Sequence, residues 1–171
     1  TRRDVEDALA TMATLDVALV GETIIDEYVY CDVLGKSGKD PVLSVRHRSS
    51  EQQLGGVLAV ANHLAAFAKR VRVASALGEH REHEALIASG LAPNVQARFI
   101  SQRGAPTIKK QRFLDAYSIA KLFGVYHIDD SPLRAQNEEE YRALVHGALQ
   151  GADLTVVADY GHGLIGERCV E

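Results

Sequence analysis

The chain has 171 residues, 46% of them apolar and 25% charged, which gives it one domain's worth of core and excludes a disordered chain. Its net charge of −4 supplies no basic field of the kind nucleic acid requires, so no nucleic-acid partner is expected, although a few local Lys and Arg side chains suffice for a phosphorylated ligand. Two isolated cysteines, Cys31 and Cys169, make neither a disulfide framework nor a metal cluster. The first residues are charged, and no apolar run approaches the roughly 20 residues of a membrane helix, so a cytoplasmic protein without a membrane partner is expected.

In chain order, residues 3–12 carry apolar side chains at helical spacing and predict a leading helix. An apolar run within 15–20 reads as a parallel strand covered on both faces, and Gly21 closes it. A β-rich run covers 24–34, and 41–50 alternates apolar with polar as a half-exposed strand. Residues 55–69 read as a small-residue helix opened by Gly55 and Gly56, followed by a buried strand at 71–77. A helix within 80–90 is expected to end at Gly90. Strand candidates follow at 95–101, 106–115 and 120–129, then a helix at 137–150 fronted by Glu138, Glu139 and Glu140. The segment 153–166 reads as strand, turn and helix start, and the last residues, 166–171, stop inside what should be that helix, as in a chain truncated at its carboxyl end.

Helices alternating with buried strands predict an α/β fold with a largely parallel central sheet. The exposed β-rich pieces, about 24–50 and 106–128, predict a small extra sheet projecting from it.

Four places carry chemistry. Gly55-Gly56 at a helix start lets backbone N–H groups approach a ligand, or simply makes a tight turn. Glu22 and Asp26 lie beyond the end of the first buried strand, where α/β sheets bind ligands; they accept hydrogen bonds from hydroxyl groups there, or are solvated turn carboxylates. Asp159 follows the last apolar run in the same way. Lys110 and Arg112 alternate on one strand and either bind a phosphate or solvate a sheet edge.

Other patterns fail. Gly35-Lys36-Ser37 lacks a phosphate-loop glycine five positions earlier, where Tyr30 stands. His80 and His83 lack the zinc-protease spacing and read as a solvated helix face. No dinucleotide fingerprint follows Gly161 and Gly163, which argues against an oxidoreductase domain.

Taken in order, these segments resemble the PfkB (ribokinase-type) carbohydrate kinases, and among them the heptose-kinase branch. VALVGETIIDEYVY resembles that branch's opening strand and acidic turn, with Glu22 in place of the usual Asp. The stretch from Lys39 to Gly78 resembles its lid strand, Gly-Gly helix and next strand; PTIKKQRFLD resembles its second lid segment, and TVVADYGHGLI its strand-end Asp-Tyr loop.

The resemblance implies a ribokinase-like fold and the amino-terminal part of a kinase domain across residues 1–171, with the projecting sheet as a lid. It implies an ATP- and Mg2+-dependent transfer of phosphate to a sugar or sugar-phosphate hydroxyl. Glu22, Asp26, Gly55 and Gly56 become substrate contacts; Lys110 and Arg112 face a phosphate or the closed site, and Asp159 sits near the sugar or a metal-bound phosphate. Where the family has an Asn after Gly-Gly this chain has Ala59, and Asn62, one turn on, is expected to take over that contact. The family's Gly-Ala-Gly-Asp segment, which brings the catalytic base, has no counterpart here, so the chain holds no catalytic residue and that Asp is expected beyond Glu171. Relatives dimerise through the lid, and a homodimer is expected. The other open reading is a non-catalytic sugar-binding or dimerisation module.

Overall fold

The computed structural model describes residues 1–166; Cys169 and most of the expected final helix, at 167–171, lie outside the described residues. Four strands, β1 (Asp16–Gly21), β4 (Arg70–Gly78), β5 (Val95–Gln102) and β8 (Leu154–Ala158), form one all-parallel sheet in the order β5-β4-β1-β8. Parallel neighbours need crossover connections, and helices supply them. Helices α2 (Val57–Ala65) and α3 (Glu84–Gly90) cover one face, around a core of Leu19, Leu58, Val71, Leu77 and Ile87. Helix α4 (Ala135–Leu149) covers the other face, where Tyr141 and Val145 pack on Val20, Ala74 and Ile100. Valines 17 and 20 of β1 thus point to opposite sides and are both buried, which is why the strand reads as a continuous apolar run.

The other strands form a second sheet in the order β3-β2-β6-β7, from β2 (Thr23–Lys36), β3 (Leu43–Gly56), β6 (Ile108–Asp115) and β7 (Lys121–His127). Strands β2 and β3 are an antiparallel hairpin, β6 joins β2 in parallel, and β7 returns antiparallel on β6. Helix α1 (Arg2–Met12) is closed by a Thr1–Asp4 capping box and buries none of its residues. No helix among the described residues is long and apolar enough to cross a membrane.

Four local expectations change. The glycine pair does not open the helix: both glycines end β3, and the helix begins at Val57. The alternation that predicts a strand at 41–50 continues six residues further, because β2 supplies antiparallel partners up to Thr23–Gly56. His80 and His83 precede α3 rather than lining its face; burial pushes the His83 imidazole pKa down. Strand β6 is flanked by β2 and β7, so Lys110 and Arg112 do not solvate an edge.

Candidate functional site

The chain leaves the central sheet at Gly21, passes through Glu22, and enters the second sheet at Thr23, so Glu22 stands at the junction. Its carboxyl group is buried, at 1% exposure, and each oxygen accepts one backbone N–H: Oε2 from Tyr160 at 2.9 Å and Oε1 from His162 at 3.1 Å. The Glu22 carbonyl accepts from Val57 N at 2.9 Å, the first residue of α2. One residue therefore fastens together the end of β1, the start of α2 and the loop that follows β8. The expectation that Glu22 meets the substrate gives way to a structural reason: both carboxyl oxygens are already engaged below the surface. Next to it, Thr23 Oγ1 lies 2.8 Å from Ser75 Oγ, which donates to Gly21 O at 2.6 Å, so the junction is tied to β4 as well.

Four residues along, Asp26 has left that buried anchor. It faces the same side of the second sheet as Tyr28, and the parallel ladder sets Lys110 beside Asp26 and Arg112 beside Tyr28. Arg112 Nη1 donates to Asp26 Oδ1, and the guanidinium lies 5.7 Å from the Tyr28 ring centre. The Asp26 hydrogen bond raises the already high pKa of Arg112, so this cation does not titrate. Asp26 Oδ2 lies against Gly55 so closely that a Cβ at that position would collide with it, and this packing is what the first glycine permits. Gly56 turns the chain from β3 into α2 with φ of 54°, where any side chain would be strained and would meet the Glu22 carbonyl. No side chain caps the first turn of α2, which leaves its N–H groups to other acceptors.

Asp26, Gly55, Gly56, Lys110 and Arg112 thus meet on one face where the two sheets join. Asp159 stands at the end of β8, exposed, and its Oδ1 accepts from Gly161 N at 2.8 Å within its own turn. That turn is joined to the rest through Glu22 and through His162, whose Nε2 is 2.9 Å from Lys110 Nζ. Asn62 stands apart from the group. Its amide donates to Gly90 O at 2.8 Å and its carbonyl accepts from Ala92 N at 2.9 Å, so it braces α2 against the end of α3. Sharing a helix face with the expected contact did not bring it to the ligand side, because its polar atoms had nearer partners.

Sequence reasoning passed over His162, Asp130 and Thr107. His162 Nδ1 is 2.8 Å from Asp130 Oδ1, and Thr107 Oγ1 accepts from Gly78 N at 2.9 Å to tie the start of β6 to the end of β4. His162 lay inside the DYGHG stretch already compared with the strand-end loop, and Thr107 inside the PTIKKQRFLD stretch compared with the second lid segment; Asp130 carries no pattern of its own.

On the opposite face of the second sheet Glu27 accepts from Gln52 at 3.3 Å and from Gln111, with Lys109 Nζ 3.5 Å away. Burial pushes its pKa up, but those amide bonds and the Lys109 charge outweigh it and leave Glu27 below the ordinary carboxylate value.

No family model matches the sequence. Among curated proteins, the chain is 29% identical over 160 residues to the bifunctional protein HldE of Desulfatibacillum aliphaticivorans, covering 91% of this chain and 32% of that one. It is 25% identical over 168 residues to HldE of Rhodopseudomonas palustris strain BisB18, covering 98% of this chain and 34% of that one. The chain therefore spans about a third of the length of the curated relatives it matches. Among solved structures, the tetrameric inhibited form of Escherichia coli phosphofructokinase-2 superposes with a TM-score of 0.59 at 16% identity, over 85% of this chain and 45% of that one. A carbohydrate kinase from Agrobacterium tumefaciens superposes with a TM-score of 0.57 at 16% identity, over 84% and 45%. The fold is ribokinase-like, and in sequence the chain is similar to the heptose-kinase branch of the PfkB carbohydrate kinases.

Proposed function

We propose that this chain forms the sugar-binding part of an ATP-dependent carbohydrate kinase that acts on a heptose or another sugar phosphate. The observation that carries this reading is the face where Asp26, Lys110 and Arg112 stand beside the Gly55–Gly56 turn. A carboxylate accepts hydrogen bonds from vicinal hydroxyls, and Asp26 keeps lone pairs to spare after bonding Arg112. The uncapped first turn of α2 offers N–H groups to a further hydroxyl oxygen. Lys110 and Arg112 supply positive charge for a phosphate on the sugar, Arg112 in the planar, permanently charged form suited to phosphate oxygens. Asp159, exposed on the turn after β8, is assigned to the same ligand. Glu22 and Asn62 shape the site rather than touch its contents.

The phosphoryl donor is ATP with Mg2+. Among the described residues no group of three or more His, Cys, Asp or Glu side chains could hold a metal ion. The second sheet serves as the lid, and the exposed Val33, Leu34, Leu43, Phe123 and Val125 on it favour pairing with a second copy in the cytoplasm. A non-catalytic dimerisation module is the reading those same residues favour if no sugar binds.

Sugar phosphates are expected to raise the melting temperature of the protein. A panel of heptose and hexose phosphates at millimolar concentration tests this, and an unchanged melting curve across the panel overturns the sugar-site reading. Light scattering tests the lid contact: a dimer is expected, and a monomer contradicts it.

A further inference from the structure

His162 carries a chemistry that the sugar-site reading leaves unused. Lys110 Nζ, reaching across from β6, lies 2.9 Å from His162 Nε2. An ammonium group has only donors, so this ring nitrogen accepts and bears no proton. The other ring nitrogen, Nδ1, lies 2.8 Å from Asp130 Oδ1, in the connection between β7 and α4. An ionised carboxylate only accepts, so Nδ1 carries the proton. The two contacts together select the neutral imidazole with its proton on Nδ1.

The ring is also fixed in place. His162 N donates to the buried Glu22 carboxyl, and the imidazole is 13% exposed while Asp130 is 67% exposed. The charged groups facing His162 are Lys110 from β6, Asp130 from the β7–α4 connection and Glu22 from the junction; Gln102 and Thr107 share the small cavity beside it without charge.

We infer that His162 is a positioning residue whose unprotonated Nε2 holds the Lys110 ammonium at the face shared with Asp26 and Arg112. One ammonium N–H donates to the ring, and two remain to donate to an anionic ligand. A proton on Nε2 would face the ammonium and end the contact, so Lys110 is held by the Nδ1–H tautomer. The contact itself follows from the geometry; that the ligand is a sugar phosphate rests on the function proposed above.

The test uses the 171-residue chain with labelled histidine and lysine nitrogens. At a pH where His162 is neutral, its nitrogen shifts are expected to show a proton on Nδ1 and none on Nε2. The Lys110 ammonium signal is expected to move when the ring acceptor is removed by His162→Phe. A neutral ring protonated on Nε2 overturns the inference.

Two variants separate positioning from folding. His162→Phe keeps the ring volume without an acceptor, and His162→Gln restores an acceptor near the position of Nε2. Binding of sedoheptulose 7-phosphate is expected to weaken about tenfold in His162→Phe and to recover in His162→Gln. Equal affinity in the native protein and His162→Phe overturns the inference. If the native protein binds no sugar phosphate, the sugar-site reading fails; the ring tautomer, and the Lys110 signal in the glutamine variant should the phenylalanine variant not fold, then decide the role of His162.

Discussion

In β1 of the central sheet residues 17–20 are all buried, whereas in β7 of the second sheet none is. The inner strands β1 and β4 are covered on both faces by helices and held by apolar contact; among their buried side chains only Ser75 is polar. The second sheet relies on side chains that pair across its strands: Asp26 with Arg112, Glu27 with Gln111 and Lys109, and Phe113 stacked on Phe123 at 4.4 Å. Apolar burial gives rigidity without chemistry, and polar pairing on a half-exposed face gives chemistry at lower stability. Two carboxyl groups four positions apart fall on either side of this divide. Glu22 belongs to the rigid part and fastens a loop; Asp26 belongs to the adaptable part and faces the site.

If the contrast is right, core truncation in the central sheet has the largest effect. Leu19→Ala is expected to cost about 3 kcal/mol by urea unfolding, while Phe123→Ala on the second sheet costs about 1 kcal/mol. Similar losses at both positions would erase the distinction. Glu22→Ala comes next: it leaves the N–H groups of Tyr160 and His162 without their buried acceptor, at about 2 kcal/mol, and Glu22→Gln, which keeps one acceptor, is expected to lose about half as much.

Asp26→Asn sharpens the comparison further. It is expected to cost no more than about 1 kcal/mol of stability yet weaken sugar-phosphate binding at least tenfold, as measured by calorimetry. A large stability loss with unchanged binding would assign Asp26 to the scaffold.

Acid gives the smallest effect. Both sheets have carboxylates held below their ordinary pKa, among them Asp16 in the central sheet, through hydrogen bonds from Arg70 and the charge of Arg72, and Glu27 in the second. A depressed carboxylate contributes its full stability above the unfolded pKa and loses it as pH falls through the folded one. Stability is therefore expected to decline as pH drops below the ordinary values of 4.5 for Glu27 and 3.8 for Asp16. Glu27→Gln and Asp16→Asn should each flatten part of that decline in acid titrations followed by circular dichroism.

The parallel sheet was legible because β1 and β4 are apolar on both faces, a pattern that few other environments produce. The second sheet was legible as exposed β-rich runs, but its strand order was not, since pairing β6 with β2 joins segments about eighty residues apart. Asp26, Lys110 and Arg112 came from motif order and met on one face. Glu22 and Asn62 were misassigned for the same reason as each other. A polar residue at the right spacing looks free in sequence, and its actual partner lies far along the chain: 138 and 140 positions for Glu22, 28 and 30 for Asn62. His162 was overlooked because a single histidine has no periodicity; only its two neighbours define its role.

The claim on which the rest depends is that the Asp26 face and the Gly55–Gly56 turn receive one phosphorylated sugar. Amide chemical shifts of the protein titrated with sedoheptulose 7-phosphate test it most directly. Perturbations are expected to centre on residues 22–28, 55–59, 110–112 and 159–163. Shifts confined elsewhere, such as the cavity between Arg72, Arg98 and Leu144 on the α4 side, or no shifts at all, would contradict it.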